Sequence, residues 1–277
     1  MVLSKDVSRM TNESLSSTPQ EDGPERGSSF CVGMITELEM KEYDVVYILK
    51  DGVKEYELRY SLRSIEKNLP HGNVWFVGGQ PVCLFPDKAL PHIQTGVLKW
   101  ERARSSLIRA CKCPDISEKF WLFNDDFFVL KPVESEEPFF TGMLHDHILR
   151  IEHRYDDKRT GYSKALRYCE ETLHDADMTT FDYALHVPML IDKKKMLEAL
   201  RTFPDCPMFR SIYGNYAEIG GVQHDDVKIV STNKPIPDGA DFVSTSDASF
   251  FTGRVGQDLR NMFPEKSKYE DYRHRTF

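Results

Sequence analysis

Between residues 43 and 130, strand-length apolar runs alternate with helix-length amphipathic segments, and this alternation narrows the fold more than any other feature. Residues 43–50 (Tyr-Asp-Val-Val-Tyr-Ile-Leu-Lys) are β-branched and aromatic, end at Asp51-Gly52 and read as a buried strand. Residues 55–67 carry Leu58, Leu62 and Ile65 at helical spacing, and residues 68–72 (Asn-Leu-Pro-His-Gly) supply the stop. A second strand is expected over 73–77, closed by Gly78-Gly79. A helix follows over 101–111, then a third strand within 119–130. Strand, helix, strand, helix, strand predicts an α/β fold in which a parallel sheet is covered by helices. Ligands of such sheets bind beyond the carboxyl ends of the strands. That singles out Asp51-Gly52, Gly78-Gly79-Gln80 and Asn124-Asp125-Asp126.

The third of these is chemically the most pointed. Asp125 and Asp126 stand between Phe-Trp-Leu-Phe and Phe-Phe-Val-Leu, and burying two carboxylates is expensive unless something neutralises them. A divalent cation, Mg²⁺ or Mn²⁺, held against a ligand's phosphates meets that need, because hard cations prefer carboxylate and phosphate oxygens. The competing reading is a strand-ending turn with solvated carboxylates.

The length of 277 residues suits one large α/β domain with at most a modest insertion. A net charge of −8 argues against a protein that coats nucleic acid, although a local basic groove leaves a nucleic-acid acceptor open. No apolar run approaches the roughly 18 residues of a membrane helix, and no charged-then-apolar leader opens the sequence, so a cytoplasmic protein is expected. Cys31, Cys83, Cys111, Cys113, Cys169 and Cys206 match neither a zinc spacing nor a small disulfide framework and read as free thiols. Residues 1–29 are polar and small, which predicts a disordered tail. A single domain is expected over 30–256, with order beginning between 30 and 40, and a helical or irregular extension over 257–277. Within the second half, residues 163–173 look helical, 185–191 form a short apolar segment, and Asp192 can cap a helix over 193–201 that Phe203-Pro204 closes. Residues 242–251 read as a short strand or loop.

Several further residues carry candidate chemistry. Arg59 and Arg63 lie four apart on the first helix and share a face, either solvated beside Glu55 and Glu66 or forked onto phosphate oxygens. His186 precedes Val187-Pro188 and is a core histidine or a general acid/base near neutral pH. Arg210 suits a structural ion pair or a diphosphate clamp, and Asp247 a turn cap, an acceptor contact or a metal ligand. His145-Asp146-His147, read as extended, would place both imidazoles on one side, although nothing nearby completes a familiar zinc motif.

In order along the chain, these segments resemble the Stealth family of sugar-phosphate transferases. Residues 43–52 are similar to its first block, with Asp44 and Asp51-Gly52 in register. Residues 57–67 (Glu-Leu-Arg-Tyr-Ser-Leu-Arg-Ser-Ile-Glu-Lys) are close to the opening of its second block, which ends in Phe123-Asn124-Asp125-Asp126. His186-Val187-Pro188 with Phe209-Arg210-Ser211 resembles the third block. Residues 242–247 resemble the fourth, with Ser246 where the family usually has Asn. The resemblance spans roughly residues 43–250. It implies a GT-A-like, Rossmann-type, mostly parallel sheet flanked by helices, and a UDP-sugar-like donor. It also implies Asp44, Asp51, Arg59 and Arg63 in donor binding, Asp125 and Asp126 at the metal, and His186, Arg210 and Asp247 in catalysis. The implied reaction moves sugar-1-phosphate to an acceptor hydroxyl on a glycan, a protein or a modified nucleic acid. Conventional glycosyl transfer from the same pocket, with nucleoside diphosphate leaving, is the alternative, and a nucleotide-sugar-binding protein without catalysis is a third reading.

Overall fold

A computed structural model of the chain describes residues 41–154 and 160–271. The expectations for 1–29, for the onset of order within 30–40, and for 272–277 fall outside the described residues.

The alternation read from the sequence becomes β1 (Tyr43–Leu49), α1 (Glu55–Asn68), β2 (His71–Gly78), β3 (Lys88–Pro91), α2 (Lys99–Lys112) and β4 (Lys119–Phe123). With β7 (Met189–Asp192) they form a five-stranded sheet in the order β3-β2-β1-β4-β7, parallel except for β7, which runs antiparallel to β4. β1 lies at the centre, with Val46 opposite Trp75 of β2 on one side and Leu122 of β4 on the other. Its alternate residues feed two cores. Val45, Tyr47 and Leu49 pack on Leu58, Leu62 and Ile65 of α1. Val46 packs with Leu107 of α2 and Met196 of α5 (Lys193–Thr202) on the other face. Each fully buried leucine contributes about 2 kcal/mol, and Leu62→Ala would cost about 3 kcal/mol through the cavity it leaves.

The chain steps from β1 through α1 to β2 and β3, then returns through α2 to β4 on the other side of β1. The strand order therefore reverses between β1 and β4, and such a switch point opens a crevice at the carboxyl ends of the two strands. Two glycines let the neighbouring edge close tightly. A Cβ on Gly79 would lie 2.1 Å from the Lys50 carbonyl oxygen, and Gly78, at φ +99°, would place one 2.4 Å from that of Leu49. The Gly78-Gly79 pair thus serves the approach of β2 to β1.

The remaining elements are β5 (Phe127–Val129), β6 (Phe139–Phe140), α3 (Leu144–Arg154), α4 (Gly161–Asp175), α6 (Phe209–Tyr216), β8 (Val222–Gln223), β9 (Lys228–Ile229), β10 (Phe242–Thr245), α7 (Asp247–Phe251) and α8 (Arg254–Met262), with a 3₁₀ turn at Lys268–Glu270. β5, β10 and β9 form a second small sheet, covered by Phe250, Val255 and Leu259 from α7 and α8. β6 pairs with β8.

Several expectations change in detail. The single strand expected within 119–130 is two, β4 and β5, which belong to different sheets, with Asn124-Asp125-Asp126 as the corner between them. His71-Gly72 opens β2 rather than closing α1, because Pro70 has already stopped the helix. His145 and His147 lie on helix α3, where residues two apart diverge, so they do not chelate together. His145 faces Glu170 and His147 faces Asp182. Residues 242–251 are a strand followed by a helix. The boundary expected at 256/257 falls inside α8, whose Val255 and Leu259 are fully buried. Asp192 caps α5 as expected, accepting from the Lys195 backbone N at 3.0 Å. Cys83, Cys111, Cys113, Cys169 and Cys206 are free, and among the described residues no helix is long and apolar enough to cross a membrane.

Candidate functional site

At the β1/β4 crevice the β4–β5 corner presents Asp125 and Asp126, β1 is followed by Lys50 and exposed Asp51, and the first turn of α1 supplies Glu57. Thr245, at the end of β10, donates to Glu57 Oε1 at 2.6 Å. The Glu57 side chain is buried, and its carboxyl is pushed up to about 7. Burial is the main cause, and Asp126, Asp125 and Asp247 add to it. Asp125 is raised as well, by burial and then by Asp126, and Lys50 and Lys99 only partly oppose this. Asp126 is held by Lys228 Nζ and by Ser244 Oγ at 3.2 Å. Asp247 opens α7 on the exposed rim and takes Lys54 Nζ at 2.5 Å, a contact that lowers its pKa. Acidic side chains thus crowd one end of the crevice and lysines ring it.

The adjoining wall carries His186 and Arg210. His186 Nδ1 lies 2.9 Å from Asp226 Oδ2, and its backbone N donates to Asp226 Oδ1 at 3.0 Å. Burial would raise the Asp226 carboxyl, but hydrogen bonding and charge from His186 bring it below its ordinary value. The imidazole packs edge-on against Phe127, directly after the acidic corner, at 6.1 Å between centroids. Arg210 stacks over the same ring at 5.5 Å and donates to the carbonyl oxygens of Leu185, at 3.0 Å, and Val187. Burial lowers its pKa to about 10 against the opposing pull of Asp226, Asp126 and Asp182. Its buried Nε has no hydrogen-bond partner.

Of the residues singled out from the sequence, Asp125, Asp126, His186, Arg210, Asp247 and Asp51 therefore lie on or beside the crevice. Three do not. Asp44 is buried at the opposite end of β1, about 20 Å away along the strand, where it accepts from the backbone N of Asn73 and Ser117 and from Trp75 Nε1. It fastens strand starts together. Arg59 and Arg63 face the C-terminal 3₁₀ turn, where Glu270 takes Arg59 Nη1 at 2.5 Å and Arg63 Nε at 2.6 Å, so neither expected partner, Glu55 nor Glu66, holds them. These contacts offset burial and bring the Glu270 carboxyl down to about 2.

Glu57, Lys228 and Asp226 are the members that sequence reasoning missed. An acid in the first turn of a helix reads as a dipole partner, and only the fold shows it turned toward the acidic corner. Asp226 had a weak signal as the last residue of His224-Asp225-Asp226. A separate recess of about 570 Å³, lined by Leu130, Ile236, Asp258 and Met262 among others, lies at the far end of β5 and shares none of these groups. Among the described residues no three His, Cys, Asp or Glu side chains converge to hold an ion unaided. The chain matches no protein-family model and no curated protein sequence.

Proposed function

We propose that the chain is a Stealth-type sugar-phosphate transferase on a GT-A-like fold, moving sugar-1-phosphate from a nucleotide-sugar donor to an acceptor hydroxyl with help from Mg²⁺ or Mn²⁺. The observation that carries this reading is an only partly compensated acidic corner at the β1/β4 switch point, with a histidine–aspartate couple on the adjoining wall. Perturbed carboxylates gathered in a cleft are what a reaction on a charged substrate requires.

The residues fit a divalent ion bound together with its substrate. Asp126 already has Lys228 and Ser244 as partners, whereas Asp125 is half-buried with a raised pKa that Lys50 and Lys99 only partly oppose. One or two carboxylates, with phosphate oxygens completing the shell, is how Mg²⁺ is usually held. When bound, such an ion offsets the charge of the diphosphate. The chain's own groups perform the remaining tasks. Asp226 fixes His186 through Nδ1, leaving Nε2 to accept the proton of the acceptor hydroxyl. That oxygen attacks the phosphorus next to the sugar, the bond to the nucleotide breaks, and nucleoside monophosphate leaves. Lys50, Lys99 and Arg210 add positive potential around the phosphates. Arg59 and Arg63, engaged by Glu270, are given no part in donor binding.

The test uses UDP-sugars with Mn²⁺ or Mg²⁺ and identifies the nucleotide released. UMP supports phosphotransfer, UDP would replace it with glycosyl transfer, and no turnover across a panel of donors would reject the enzymatic reading.

A further inference from the structure

The His-Asp-His run on α3 is the one sequence motif that the acidic corner leaves unused, and its second histidine is tied to the wall that carries His186. His147 Nδ1 bonds Asp182 Oδ2, a fully buried carboxylate that also accepts from Thr141 Oγ1 at 3.1 Å, Ser211 Oγ at 3.1 Å and the Ala184 backbone N at 2.9 Å. Burial would raise Asp182, yet the His147 hydrogen bond and the backbone N of Ala184 bring it below its ordinary value. Four residues further along the same segment stands His186 with Asp226, and Arg210 spans the stretch between by holding the Leu185 and Val187 carbonyls. Two histidine–aspartate couples are therefore mounted on one strap.

Tyr162, at the start of α4, stands beside the first couple. Its ring meets His147 edge to face at 5.9 Å, and the residue is 44% exposed. Burial first, then Asp182 and Asp226, hold the phenol well above its ordinary pKa, so it stays protonated as a donor. One phenol thus feels the aspartates of both couples. Neither Tyr162 Oη nor His147 Nε2 has a hydrogen-bond partner among the described residues. A purely structural couple would need Nδ1 of His147 alone. An exposed aromatic face flanked by an unused donor and an unused imidazole nitrogen suits a ligand that offers both apolar ring surface and hydroxyls.

We propose that Tyr162 and His147 form the acceptor-binding face of the site and hold a hydroxyl-rich acceptor so that one of its hydroxyls meets His186. This rests on the transferase reading above. Asp182 is a positioning residue, fixing the His147 tautomer and ring through Nδ1. No bond to donor phosphorus is made or broken by these two residues.

The full chain is assayed with whichever UDP-sugar it consumes, first without acceptor and then across a panel of methyl glycosides. Water replaces the acceptor in the first assay, so that rate reports the donor half of the site alone. Tyr162→Phe and His147→Gln are expected to leave this hydrolysis within about twofold while raising the acceptor KM about tenfold, the size expected when one hydrogen bond is lost. Tyr162→Phe keeps the ring and the fold, so it serves if His147→Gln lowers the melting temperature. An unchanged acceptor KM in the Tyr162 variant would overturn the assignment, as would hydrolysis falling in step with transfer. A parent that consumes donor but accepts no glycoside would overturn it too. A parent that consumes no donor would reject the transferase reading itself.

Discussion

Two faces of α1 show opposite ways of handling charge. At its first turn Glu57 meets Asp125, Asp126 and Asp247, and its carboxyl rises to about 7. On another face, within two turns of it, Arg59 and Arg63 meet a single carboxylate, Glu270, which falls to about 2. Each face is partly buried, so burial does not separate them. The sign of the neighbours does. In the second assembly the charges are matched, the guanidinium of Arg63 forks onto both oxygens of Glu270, and its Nη1 also holds the Phe263 carbonyl at 2.9 Å. That geometry fastens the C-terminal segment to the helix. In the first, like charges are held together by the fold at a cost, which the proposed function assigns to a ligand that supplies the missing charge.

The largest effect expected from breaking this contrast is on turnover at the acidic face. Asp125→Asn removes a half-buried charge without changing shape. Turnover of a UDP-sugar is expected to fall about 1,000-fold, or about 4 kcal/mol. The melting temperature should hold or rise, because a repulsive charge has gone. Turnover within threefold of the parent would remove Asp125 from the chemistry.

At the matched face the expectation reverses. Glu270→Gln leaves two guanidiniums facing a neutral group and is expected to cost about 3 kcal/mol, or about 6–12 °C in melting temperature for a domain of this size. Turnover at low temperature should stay close to the parent. The pH dependence follows from the depressed carboxyl. The native state keeps Glu270 ionised down to about 2, so its contribution is full above about 4.5 and is lost as pH falls from there toward 2. Thermal melts from pH 6 to pH 3 should therefore converge for parent and variant at the acid end. A gap that stays constant with pH would show that Glu270 acts by packing alone.

The same contrast explains what the sequence could and could not reveal. The central sheet was legible because Val45, Tyr47, Leu49 and the Leu58, Leu62, Ile65 stripe obey strand and helix periods, and burial enforces those periods. The acidic corner was legible because two carboxylates interrupt an apolar run. Its breadth was not, since Glu57 and the pair Asp226 and Lys228 come from two distant segments that only the second small sheet and the strap at residues 182–188 bring together. Arg59 and Arg63 read as phosphate ligands because guanidinium geometry fits phosphate and carboxylate alike. Nothing local reveals a partner 207 residues away. Asp44 was misplaced for a different reason: it belongs to the right strand but to its opposite end, where unpaired backbone N–H groups need an acceptor.

The smallest of these effects is the one that tests whether the acidic face is repulsive at all. Glu57 holds its proton to about 7 in the folded chain, whereas an unfolded glutamate releases it near 4.5. Between those values the unfolded state binds fewer protons than the native one, so stability falls as pH rises and levels off above about 7. Glu57→Gln keeps the neutral shape and removes the titration. The parent should lose about 1 kcal/mol between pH 5 and pH 8, allowing for solvent screening, and the variant should lose less. Chemical denaturation at the two pH values measures both. Parallel losses in parent and variant would show that Glu57 is ionised throughout, and the carboxylates on this face of α1 would then be as well compensated as Glu270 is on the other.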